Sequence, residues 1–128
     1  MSIKTKTYED RVLNAMRGTA LTAWTPYAGL LTAVADAEAG TVTEIAYTGY
    51  ARQAVTFGAP AAGTVTNSGV VSFGQMTAGA GGTAMAVGYY SAATGGELRY
   101  VVALDTPKAI AVGDTPEFGV GDLELAEM

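Results

Sequence analysis

The sequence contains no histidine and no cysteine. Without cysteine there is no disulfide framework and no thiolate metal site, which fits synthesis in a reducing cytoplasm. Without histidine the usual general base and the Ser-His-Asp arrangement are missing, and no Ser-x-x-Lys pattern offers lysine instead. No apolar run approaches the roughly 18 residues that span a bilayer. The opening MSIKTKTYEDR brings in charge before a signal-peptide core could form. A soluble protein with no membrane partner is expected. Charged residues make up only 15% of the chain and hydrophobic ones 49%, which argues against disorder.

What is abundant is glycine, with 17 in 128 residues, dispersed without period, so collagen is excluded and many tight turns are expected. The length suits one domain with one core and no staples. Net charge is −5 and unevenly spread. Residues 1–20 hold Lys4, Lys6, Arg11 and Arg17 against Glu9 and Asp10, whereas Lys108 is the one base among six acids in residues 105–128. An acidic body argues against nucleic acid, which needs a basic face. A basic arm on an acidic body suits docking to an acidic protein surface or head-to-tail assembly; scattered solvated charge is the plainer alternative.

One segment reads as a helix. In TYEDRVLNAMRG, Thr7 is placed to cap the first amides, with Asp10 three residues on. Tyr8, Val12, Leu13 and Met16 share a face at 3.6-residue spacing, and Gly18 stands where a left-handed C′ residue belongs. So short a helix must lie on its own sheet or on a neighbour. This divides the chain into a basic arm and helix, residues 1–18, and a β domain, residues 19–128.

From residue 24 onward the period is two, or apolar runs are short. YAGLLTAV (27–34) reads as a buried strand. TEIAYTGYARQAVTFG (43–58) reads as two strands broken at Gly49, with Val55 and Phe57 on one side. GTVTNSGVVSFG (63–74) supplies another strand, with Val71 and Phe73 inward, and QMTAGAGGTA reads as a loop. TAMAVGYYSA and ELRYVVAL form a hairpin about Gly95-Gly96, with Leu98, Tyr100, Val102 and Leu104 on one face. In PEFGVGDLELAEM, Phe118 and Val120 have one parity and Leu123 and Leu125 the other. A β-bulge at Gly121-Asp122 would reconcile them. Seven or eight short antiparallel strands with regular turns predict an all-β fold: a single β-sandwich, jelly-roll or immunoglobulin-like, with one short N-terminal α-helix.

No pattern reads as an active site. GAGGTA (79–84) matches a loose dinucleotide fingerprint, but a strand-like segment follows where a helix N-terminus is required. The pairs Asp36/Glu38 and Asp114/Glu117 could in principle bind calcium or act as glycosidase carboxylates. Neither has the spacing of those templates, and acids are common in turns. No catalytic, cofactor or metal residue is assigned.

Taken in order, LNAMRG, GYARQAVTFGAP (49–60), NSGVVSFG (67–74), YYSAATGGELRYVVAL (89–104) and TPKAIAVGDTPEFGVGDLEL (106–125) resemble a small structural family of tailed bacteriophages, whose members are labelled tail-fibre or minor virion proteins. Where members carry a strand followed by an acidic-proline turn, this chain has YAGLLTAVADAEAG without the proline. The resemblance implies a compact β-sandwich that is part of the virion, is assembled in the bacterial host cytoplasm and has no enzymatic role. A single domain without a repetitive shaft suits capsid decoration on the major capsid protein; a tail-fibre or baseplate component is the alternative. Chain ends fray unless tied down, and here they are expected to be held, on the domain or by neighbours. A homo-oligomer is expected, with a trimer as the guess.

On that reading Lys4, Lys6, Arg11 and Arg17 are the electrostatic docking residues and Tyr8, Val12 and Met16 the apolar anchor. A helix packed on its own sandwich accounts for them equally well. A receptor- or carbohydrate-binding module would instead use exposed aromatics, with Trp24, Tyr47 and Tyr50 as candidates.

Overall fold

The longest pairing in the chain is the hairpin legible in the sequence. In the computed structural model, which describes residues 2–126, strands Gly82–Tyr90 and Leu98–Ile110 run antiparallel. Eight further strands and one helix surround them. In chain order these are β1 (Ser2–Lys4), α1 (Lys6–Met16), β2 (Tyr27–Asp36), β3 (Thr41–Glu44), β4 (Gln53–Ala54), β5 (Thr64–Thr66), β6 (Val71–Ser72), then the hairpin strands β7 and β8, β9 (Glu117–Phe118) and β10 (Glu124–Ala126). The fold is an all-β sandwich with one short N-terminal helix. The large sheet runs β1-β8-β7-β2-β3, with β4 also on β2; two ribbons, β10-β5 and β6-β9, complete it. All pairings between these strands are antiparallel.

Alternation explains the core. On the large sheet Ala28, Leu30, Val87, Tyr89 and Tyr100 point to one side and are buried with Val71, Phe73, Phe118 and Leu123 from the ribbon side. Phe73 anchors this layer, with its ring 6.1 Å from Phe118 edge-on and 6.1 Å from Tyr50 stacked. The reverse face carries a smaller cluster of Leu31, Ala37, Ala86 and Val101, with Ile3, Val42 and Leu98 against it. The β2–β3 turn bends back to the other end of the sheet, where Lys6 N–H donates to the Glu38 carbonyl at 2.8 Å.

The ten strands exceed the seven or eight expected because β1, β4, β6, β9 and β10 have only two or three residues, too few to show a period. Phe118 and Leu125 belong to two strands rather than one bulged strand. Between them the chain turns at Gly121-Asp122, where Asp122 Oδ2 accepts from Gly119 N–H at 2.9 Å; β9 then serves β6, and β10 serves β5. The helix begins two residues before the sequence suggests. Its cap is Thr5, not Thr7, and Thr5 Oγ1 also donates to the Leu98 carbonyl at 2.8 Å. Tyr8, not Asp10, therefore occupies the third helical position, and no capping box forms. Gly18 does take the left-handed conformation, with φ +94. Met76, expected in a loop, is almost wholly buried.

Gly49 marks the expected break between β3 and β4. A Cβ there would lie 2.2 Å from the Gln75 carbonyl oxygen, and one on Gly74 would lie 1.8 Å from the Gly49 carbonyl oxygen. Two backbone segments cross here with no room for a side chain. Met1, Glu127 and Met128 lie outside the described residues, and so does the expectation that the extreme ends are held. Next to them, Ala126 N–H donates to Ser2 Oγ at 2.9 Å.

Candidate functional site

The residues expected as a basic arm are built into the body. Strand β1 pairs with β8 in register Ser2↔Val102 to Lys4↔Tyr100, and α1 lies across the start of β8. The inner face of the helix is set by Tyr8. Its buried ring packs edge-on against Trp24 at 5.7 Å and Tyr100 at 5.3 Å, and its hydroxyl accepts from Trp24 Nε1–H at 3.2 Å. Val12, one turn on, packs on the same core. Leu13 and Met16 turn the other way and are 57% and 82% exposed. Tyr8 and Val12 therefore hold the helix down, while Met16, expected beside them, stands outside with Leu13.

The four basic residues divide similarly. Lys6 and Arg17 are exposed at the two ends of α1, with an Arg17 Nη1 bond to Asn14 Oδ1 at 3.2 Å. Lys4 is half-buried on β1. Arg11 forks onto Glu97, Nε to Oε1 and Nη2 to Oε2 both at 2.9 Å, and so ties the helix to the foot of β8. Hydrogen bonding to Arg11 holds the Glu97 carboxyl below its ordinary value, with Arg99 adding to the effect.

Arg99 and Glu97 were not found by reading the sequence. Strict alternation sets Arg99 opposite Tyr100 and keeps Leu98 with it. The pairing skips Arg99, because Tyr89 faces Tyr100 while Tyr90 faces Leu98. At this bulge Leu98 joins the reverse cluster, and Arg99 turns under α1, its guanidinium 4.5 Å from the Trp24 ring and 5.0 Å from that of Tyr8. Tyr100, Val102 and Leu104 keep the shared face expected of them.

The three candidate ligand aromatics are all engaged internally. Trp24 is half-buried over Arg99 and Tyr8. Tyr47 is buried, its hydroxyl donating to the Gly74 carbonyl at 2.6 Å. The Tyr50 hydroxyl accepts from Leu30 N–H at 3.0 Å and donates to Glu44 Oε2 at 2.5 Å; burial and that carboxylate push its pKa upward. Glu44 also accepts from Arg52, which stacks 3.5 Å above Tyr90 and donates to the Ala92 and Gly95 carbonyls. This network straps the β7–β8 loop to β3. Of the paired carboxylates, Asp36 and Asp114 each accept a backbone N–H of their own turn. No helix among the described residues is long and apolar enough to cross a membrane.

The helix thus turns an apolar face to solvent on a β body. The sequence matches, over residues 4–126, the family described as Podophage GP4 fiber I protein gp80. The chain belongs to that gp80 family. It is thereby a bacteriophage structural protein, with a role in the virion. None of the curated proteins matches the chain. Within the gp80 family match lies the whole of α1, and the match begins at Lys4, the last residue of β1.

Proposed function

We propose that the protein is a non-enzymatic surface component of the virion, a capsid decoration protein seated on the outer surface of the major capsid protein shell through the outward face of α1. One observation carries this reading. The helix is fixed from beneath by Tyr8 and Val12 and presents Leu13 and Met16 to solvent, with Lys6 and Arg17 at its ends. Large apolar side chains held on a rigid element lose little entropy when covered, and basic neighbours speed encounter with an acidic partner. The absence of histidine and cysteine is in keeping with a role without turnover.

A tail-fibre or baseplate location is the second reading, favoured by the word fiber in the family description. The same helix face would then dock on a fibre or tail protein. Receptor or carbohydrate binding gains less support, because Trp24, Tyr47 and Tyr50 are committed to internal contacts. Self-association into a closed trimer belongs to the same proposal.

Reconstruction of purified particles tests it. The decoration reading expects this fold on the shell with α1 against the major capsid protein. Density confined to the tail would overturn decoration in favour of the fibre reading, and absence from the particle would overturn both. Sedimentation of the purified chain as a monomer at high concentration would remove the trimer.

A further inference from the structure

The segment 19–22 folds back beside α1 and leaves a cavity of about 100 Å³ lined by Arg11, Asn14, Thr19, Leu21, Thr22 and Arg99. By liquid volume that is room for about three waters. Both charged residues on the wall are arginines. They are drawn together by a shared partner, because Glu97 Oε1 accepts from Arg11 Nε at 2.9 Å and from Arg99 Nε at 3.1 Å. One carboxylate thus serves two guanidinium groups, and the trio keeps an excess positive charge.

Arg99 is the less satisfied of the two. Its side chain is only 11% exposed; its Nη1 lacks a hydrogen-bond partner and is closed to solvent, so a ligand in the cavity would meet the other edges of the guanidinium. The rings of Trp24 and Tyr8 lie over the guanidinium and attract its charge, but they accept none of its N–H bonds in the plane. An arginine has five donors in a fixed fork, of which Glu97 takes that on Nε of Arg99. Thr19, Thr22 and Asn14 line the same cavity.

We propose that this cavity is an oxyanion site that takes a carboxylate, held by Arg11 and Arg99, with the threonine hydroxyls and the Asn14 amide completing its shell. A planar two-oxygen group matches the guanidinium fork. The carboxylate belongs either to a free small acid or to an Asp or Glu side chain of another chain in the particle. The site stands on the pocket itself and is independent of where the protein docks.

The test is a titration of the full-length, ¹⁵N-labelled chain with sodium acetate, reading the arginine Nε–Hε resonances, with sodium chloride at matched ionic strength and sodium phosphate as separate arms. Acetate is expected to shift Arg11 and Arg99 saturably, and chloride is not. Arg11→Gln, at a half-exposed position, is expected to weaken acetate about tenfold, as loss of a charged hydrogen-bond pair does. Glu97→Gln removes the competing internal carboxylate and is expected to tighten acetate several-fold, an effect opposite to simple loss of structure. Non-saturating shifts, equal shifts with chloride, or an unchanged acetate curve in Arg11→Gln would overturn the site. Tighter saturation by phosphate than by acetate would overturn the choice of carboxylate. With the site present, occupancy on particles separates the sources: it falls in Arg11→Gln and under added acetate if the carboxylate is carried by another chain, and is unchanged if the ligand is a free acid.

Discussion

Replacing Leu13 and Met16 together by glutamine is the perturbation that most directly separates docking from folding. Glutamine is a good helix former, so α1 itself should persist. Burying a whole Leu or Met side chain is worth about 1.5–3 kcal/mol. Leu13 is 57% and Met16 82% exposed in the free protein. If docking covers what is now open, those fractions give about 2–4 kcal/mol of lost adhesion, a weakening of about thirtyfold to several hundredfold. The buried remainder is small, so the folded state should lose only about 1–2 kcal/mol and melt a few degrees lower. Val70 and Val120, 58% and 63% exposed, flank the β6–β9 ribbon and supply a matched control pair. The assay adds wild type, Leu13→Gln/Met16→Gln and Val70→Gln/Val120→Gln to particles lacking the protein and quantifies bound copies against input. The expected result is loss of occupancy for the helix pair alone. Full occupancy by that variant, or equal loss from both pairs, would refute docking through α1.

Three other outcomes follow from packing and charge. Glu97 has a depressed folded-state pKa, so its ion pairs stabilise the protein above its ordinary value of 4.5 and fade as pH falls through the folded value. The melting-temperature gap between wild type and Glu97→Gln should therefore be full at pH 7 and close in acid; a gap independent of pH would contradict this. Tyr50→Phe leaves the buried Leu30 N–H without its acceptor and should cost about 1–3 kcal/mol in urea unfolding, whereas a neutral change would mean that water replaces the hydroxyl. Gly74→Ala must displace the Gly49 carbonyl and should cost at least about 3 kcal/mol, read as a much lower urea midpoint or loss of soluble protein; near-wild-type stability would show that the crossing is not rigid.

Much of the body could be read from alternation. Val71, Phe73, Val55 and the β7–β8 hairpin fall where a period of two sets them, and Gly18 and Gly49 punctuate the chain as expected. What escaped the reading has two physical causes. Strands of two or three residues, such as β1 and β9, carry no period, so Ser2–Lys4 read as part of a basic arm rather than as a strand. A single skipped residue also reverses every side chain beyond it. The bulge at Arg99 therefore moved Leu98 to the reverse face and carried the arginine under Tyr8 and Trp24, which hid the cationic pocket. The helix face was half legible. Spacing grouped Tyr8, Val12, Leu13 and Met16, but a helix eleven residues long buries only the stripe of Tyr8 and Val12 and leaves Leu13 and Met16 exposed.

The bond between Ala126 N–H and Ser2 Oγ sets β1 and β10 of this body within hydrogen-bond reach of each other. A short peptide bridging the two ends should yield a cyclic protein with the same architecture, and on chain-entropy reasoning closing so long a ring removes about 4–5 kcal/mol of freedom from the unfolded chain. Reopening the ring in the exposed stretch at Thr22-Ala23 would give a circular permutant in which β1 and α1 are synthesised last, after the sheet that receives them.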